Sequence, residues 1–101
     1  MKTIMVRYKT SSQENADKNA ALVRAVFEEL HAAAPGGIRY TSYRAEDSIS
    51  FVHIATHEGP TEALTSLAAF KEFQREIKSR CAEPPVVTEL SPVGSYGCQE
   101  T

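Results

Sequence analysis

Ile49-Ser50-Phe51-Val52-His53-Ile54-Ala55-Thr56-His57 is the strongest strand signal in the chain: β-branched and aromatic residues follow one another without a Gly or a Pro. Successive side chains on a strand point to opposite faces. One row is therefore Ile49, Phe51, His53 and Ala55, and the other is Ser50, Val52, Ile54 and Thr56. Both rows are largely apolar, so both faces of the sheet should be covered. A helix layer can cover one. In a chain of 101 residues, the simplest cover for the other is a second copy of the same chain.

Upstream, Ile38 to Arg44 alternates Ile38, Tyr40, Ser42 and Arg44 against Arg39, Thr41 and Tyr43. A short polar turn, Ala45 to Ser48, joins it to the central stretch, so the two make an antiparallel hairpin. Thr3 to Tyr8 reads as a further strand, with Ile4, Val6 and Tyr8 in one row. Between them lies a helical pattern: Ala16, Ala20, Val23, Phe27, Leu30 and Ala34 at spacings of three and four, widened by Leu22 and Val26. Ser11-x-x-Glu14 fits a capping box at its start, and Pro35-Gly36-Gly37 ends it.

Downstream, Thr61 could cap a short helical turn through Leu64, and Ser66 a longer helix with Leu67, Phe70, Phe73, Ile77 and Cys81 on one face. Lys71, Glu72, Arg75, Glu76 and Arg80 are expected to form its wet side. Glu83-Pro84-Pro85 should stop it before a last strand, Val86 to Leu90. Residues 93–101 read as a polar, Gly-containing tail. The order is β-α-β-β-α-β: an α+β, ferredoxin-like domain spanning residues 1–101, its four-stranded antiparallel sheet carrying two helices on one face.

Composition narrows the uses of such a fold. The chain is 42% apolar and 24% charged, with a net charge of −2 from 11 basic and 13 acidic side chains. It has no basic footprint for nucleic acid or for an anionic membrane surface. No apolar run has the length of a secretory signal or a membrane span, so a cytoplasmic protein with reduced Cys81 and Cys98 is expected. The 16 residues between the two cysteines match no zinc spacing.

An RNA-recognition motif shares the strand order, but Asp47, Ser48 and Ile49 stand where its basic residue, Gly and first aromatic belong. An acylphosphatase-like anion cradle needs a Gly-rich loop after the first strand, and Thr10-Ser11-Ser12 has none.

The strand order, the long first helix, and Ala63-Leu64 with Ala69-Phe70-Lys71-Glu72-Phe73 entering the second helix resemble the antibiotic biosynthesis monooxygenase-like (ABM) family of dimeric α+β barrels. The resemblance runs from Thr3 to about Gly97. It implies a homodimer with the two sheets facing each other and helices outside, and a ligand pocket between sheet and helices in each subunit. Members include cofactor-free oxygenases of aromatic polyketides and quinols, heme-degrading oxygenases and a sugar-phosphate isomerase. The heme-degrading branch carries a Trp and an iron-ligating His where this chain has Leu64 and Gln74, and this chain has no Trp. The isomerase's His positions align with Leu64 and Ala69. Both chemistries are disfavoured. What remains implied is a monooxygenase without metal or other cofactor, acting on a small apolar or hydroxyaromatic molecule. The alternative is a non-catalytic dimeric module that binds a small ligand.

His53 is the leading candidate for chemistry. An imidazole in an apolar strand has a lowered pKa and is neutral, fit to act as base or as hydrogen-bond donor. Its plainer reading is a core histidine satisfied by its neighbours. Tyr40 is the second catalytic candidate, since a phenol can donate to a developing oxyanion. Tyr43 lies on the opposite row and cannot share its pocket. Tyr8, Phe27, Leu64, Leu67 and Phe70 are the expected pocket wall. Arg7, Arg39 and Arg44 could hold an anion but more simply pair with carboxylates at the sheet. His31 and His57 read as solvated residues, His57 at the loop into the second helix.

Overall fold

Strand β3, Ser50–His57, lies inside a four-stranded antiparallel sheet of order β2-β3-β1-β4. The computed structural model describes residues 2–58 and 62–97. The other strands are β1 (Lys2–Thr10), β2 (Ile38–Arg44) and β4 (Cys81–Leu90). The helices are α1 (Gln13–Ala33), α2 (Glu62–Thr65), α3 (Ala68–Gln74) and α4 (Ile77–Arg80). This is the ferredoxin-like arrangement expected from the sequence.

Register decides which side chains meet. Val6 and Ser42 both pair with His53, Tyr8 pairs with Phe51, and Tyr40 pairs with Ala55. The row Val6, Tyr8, Phe51, His53, Ala55, Tyr40 and Ser42 therefore shares one face. On that face Tyr8 and Phe51 pack with Ala16, Ala20, Val23 and Val26 of α1 and with Leu64, Leu67, Phe70 and Phe73, all buried. The opposite face carries Met5, Thr41, Tyr43, Val52, Ile54 and Val86; Tyr43 and Val86 are exposed in the single chain.

The start of α1 differs from the sequence reading. The cap of α1 is Ser12, whose hydroxyl accepts from the Asn15 amide at 3.1 Å. Ser11 instead hydrogen-bonds to the Arg80 carbonyl through both its amide (2.9 Å) and its hydroxyl (3.3 Å). The helix ends at Ala33, with Ala34 as its C-cap in the left-handed region (φ 47°), just before Pro35 as expected.

The second helical region is not one helix. Gln74 ends α3, Glu76 sits in the left-handed region at φ 64°, and α4 adds a single turn before β4 begins at Cys81. The start of α3 has no side-chain cap from Leu67 and none from Ser66; the Glu29 carboxylate of α1 accepts from the Ala69 amide at 2.8 Å. The expected Thr61 cap lies outside the described residues.

Strand β4 runs through Pro84 and Pro85, where the sequence pattern predicts a helix stop ahead of the strand. Edge position explains it: a proline removes one donor, and an edge strand can spare those that point outward. The register with β1 slips between Arg7 and Lys9 and again before Thr10, absorbing the extra residues of β4.

Candidate functional site

The site is built around three neighbours on the helix-facing row. Ser42 lies directly across from His53, and Tyr8 and Tyr40 lie diagonally from it on either side, within side-chain reach. The Tyr8 hydroxyl is 2.7 Å from His53 Nε2, and the Tyr40 hydroxyl is 2.7 Å from Nδ1. Ser42 Oγ also reaches Nδ1, at 2.5 Å. The ring stacks with Tyr8 at 5.3 Å and Tyr40 at 5.8 Å between centroids, and Phe73 tilts against it at 5.5 Å. His53 is 4% exposed, and burial pulls its pKa down to about 4, so it is neutral near pH 7. Burial likewise pushes Tyr40 up to about 12 and raises Tyr8 further. All three are uncharged at neutral pH.

The network continues behind Tyr8. Asn19, fully buried on α1, donates from Nδ2 to the Tyr8 hydroxyl at 2.7 Å. Its Oδ1 accepts from Arg80 Nε (3.3 Å) and Nη2 (3.2 Å). Arg80 is 4% exposed, not on the wet side where helical spacing placed it. The break at Glu76 is the reason: it turns the last helical segment and leaves the Phe73 and Arg75 carbonyls free to accept from Arg80 at 2.7 and 3.3 Å. The guanidinium also sits over the Phe73 ring, 5.7 Å from its centroid.

A cavity of about 460 Å³ opens beside this network, within the range of small-molecule sites. Its walls are mostly apolar, among them Ile4, Val6, Ile38, Leu64, Phe70 and Ile77, with Tyr8, Tyr40, His53 and His57 as polar groups. Gln74 and Thr65 also reach it. Of the residues expected to line a pocket, Tyr8, Leu64 and Phe70 reach this cavity. Leu67 packs in the core instead. Phe27 borders a second cavity of about 270 Å³ with Leu30, His31 and Tyr40, and stacks on Tyr40 at 5.0 Å. Tyr40 thus stands in the wall of both.

His57 is buried and lines the larger cavity, against its solvated expectation: the last residue of β3 falls on the helix-facing row. Arg44 pairs with Asp17 of α1 at 2.9 Å, which holds the Asp17 carboxyl below its usual range. Cys81 is half-buried, and burial pushes its thiol pKa up, away from thiolate chemistry. Cys98 lies outside the described residues. Among the described residues, no group of three or more His, Cys, Asp or Glu is placed to hold a metal ion, and no helix is long and apolar enough to cross a membrane.

Asn19 and Arg80 were the residues that sequence reasoning missed. Asn19 did carry a signal: it falls between Ala16 and Val23 on the apolar stripe, where a polar side chain needs a buried partner. Arg80 carried none.

No protein-family model matches the sequence, and no curated protein matches it. Solved structures do match. One is an antibiotic biosynthesis monooxygenase, with TM-score 0.69 and 17% identity, covering 93% of this chain and 100% of that one. A second is a monooxygenase from the gene ActVA-Orf6 of Streptomyces coelicolor in complex with nanaomycin D, with TM-score 0.66 and 18% identity, covering 97% and 92%. A third is a point mutant of SnoaB, a cofactor-independent oxygenase from Streptomyces nogalater, with TM-score 0.61 and 18% identity, covering 95% and 96%. Matches along nearly the whole of each chain agree with the sheet order and the one-sided helix layer, and the fold is that of the antibiotic biosynthesis monooxygenases.

Proposed function

We propose that this protein is a monooxygenase acting, without metal or flavin, on a small, mostly apolar hydroxyaromatic molecule. The observation that carries the reading is the roughly 460 Å³ apolar cavity with Tyr40, Tyr8 and His53 gathered at one wall. The fold-level likeness to a protein named as a cofactor-independent oxygenase supports it. In such a reaction the ionised substrate carbon gives an electron pair to molecular oxygen. The peroxide formed then loses water, so that a CH₂ becomes a C=O: one oxygen atom stays in the product, and the other leaves as water with the two hydrogens. A phenol donating to the substrate oxygen stabilises the charge that develops there.

His53 fits the role of orienter better than that of base. Both ring nitrogens are engaged by hydroxyls, and the buried site disfavours the imidazolium that a base must become. That same saturation favours a second reading, a module that binds its ligand without turnover. Under either reading, two copies close their open sheet faces on each other. The apolar members Met5, Val52, Ile54 and Val86 on the helix-free side support this.

Oxygen consumption with a panel of quinols and anthrone-like phenols tests the reaction. Turnover by the wild type that falls with Tyr40→Phe and His53→Ala is expected. Ligand binding without oxygen uptake on any of them would leave the binding module standing.

A further inference from the structure

We infer that Arg80 and Asn19 are positioning residues: through Tyr8 they hold His53 as its Nδ1–H tautomer, so that Tyr40 presents an O–H donor to the cavity. A guanidinium donates only, so the atom of Asn19 that faces Arg80 at 3.2–3.3 Å must be its carbonyl oxygen. Nδ2 then faces Tyr8 and donates to it. The Tyr8 oxygen is occupied as acceptor, and its own proton is free for His53 Nε2, 2.7 Å away.

A neutral imidazole that accepts at Nε2 carries its proton on Nδ1. That proton faces Ser42 Oγ and the Tyr40 hydroxyl. A protonated Nδ1 accepts from neither hydroxyl, so the Tyr40 proton turns away from the ring, toward the cavity that Tyr40 lines. The opposite tautomer would place donors on both sides of the Tyr8 hydroxyl, Asn19 Nδ2 and His53 Nε2–H, and leave the buried Tyr8 proton with neither partner to accept it.

The inference deepens the oxygenase reading and rests on it only for the ligand's chemistry. A donor at Tyr40 selects a molecule that presents an acceptor oxygen there, a carbonyl or a phenolate, and no catalytic contact by Asn19 or Arg80 themselves is required.

Nitrogen-15 NMR of histidine-labelled protein reads the tautomer directly, since the protonated and bare ring nitrogens resonate far apart. His53 in the wild type should show a protonated Nδ1 and a bare Nε2. Asn19→Asp keeps the shape and the Arg80 contact but can only accept from Tyr8 when ionised, so the Tyr8 proton turns away from His53 and the tautomer should reverse. Binding of 1-tetralone against tetralin, equal in shape but for the carbonyl, reads the far end. The wild type should favour the ketone about five- to tenfold, and Asn19→Asp should lose that preference.

A wild-type His53 protonated at Nε2, or an Asn19→Asp protein with tautomer and preference unchanged, would overturn the inference. If Asn19→Asp does not fold, the wild-type tautomer decides alone. Neither measurement uses oxygen, so a protein with the expected tautomer and ketone preference but no oxygen uptake would sink the oxygenase reading and leave the relay intact.

Discussion

Tyr8→Phe removes one oxygen atom from the middle of the molecule and little else. The ring stays, so its stacking on Phe51 at 5.5 Å and on His53 at 5.3 Å is preserved. What is lost is a hydroxyl that is 2% exposed as a residue and joins two buried groups, Asn19 Nδ2 and His53 Nε2, each at 2.7 Å. Leaving a buried donor or acceptor unpaired costs about 1–3 kcal/mol. The Asn19 Nδ2–H and the His53 Nε2 both lose this partner, so a total of about 2–4 kcal/mol is expected. For a domain of this size that is a fall in Tm of roughly 10–25 °C. Urea titration followed by circular dichroism is the assay, with the midpoint moving and the slope unchanged. Tyr40→Phe is the control: its hydroxyl lines a cavity where water can replace it, and it should cost about 0.5–1 kcal/mol. A Tyr8→Phe protein no less stable than Tyr40→Phe would refute the buried network as a source of stability.

Acid should weaken the fold through His53. Its folded pKa of about 4 lies below the unfolded value of 6.5, so the unfolded chain binds more protons between the two. Stability is full above about pH 6.5 and falls by about 3 kcal/mol as the pH drops toward 4. His53→Gln should flatten that part of the curve in urea titrations from pH 4.5 to 7.5; an unchanged slope would contradict the buried neutral ring. Phe73→Ala, which strips the ring from beside His53 and from beneath Arg80, should destabilise by about 3–5 kcal/mol in the same assay. Ser12→Ala removes the cap of α1 and should cost about 1 kcal/mol. If two copies close on the helix-free face as proposed, the wild type sediments as a dimer and Ile54→Lys, beside Met5, as a monomer with an unchanged circular dichroism spectrum.

Alternation and helical spacing were enough to read the sheet and α1. The rows of Ile38 to Arg44 and Ser50 to His57 follow from alternation and the pairing keeps each on one face, but which row meets the helices is set only by the fold. The region after Thr65 was less legible. Helical spacing over Leu67, Phe70, Phe73 and Ile77 is continuous in the sequence, yet the backbone breaks at Glu76, a residue type that does not advertise a left-handed φ. With the break unseen, Arg80 read as a surface residue and β4 read as starting after the prolines. Of the site, His53 and Tyr40 were visible as polar or aromatic side chains on an apolar row. The partners that orient them were not, since Asn19 and Arg80 are 61 residues apart in the chain and meet only through the fold.

The turn at Glu76 has one more effect. The guanidinium it brings inside is gripped by the Phe73 and Arg75 carbonyls and the Asn19 amide oxygen, all neutral dipoles. Added electrolyte screens a pair of opposite charges at the surface, and low pH can discharge a carboxylate; neither acts on a carbonyl buried with its donor. The anchor of the interior network should therefore hold its grip in brine as firmly as in dilute buffer, whatever becomes of the Arg44–Asp17 pair outside.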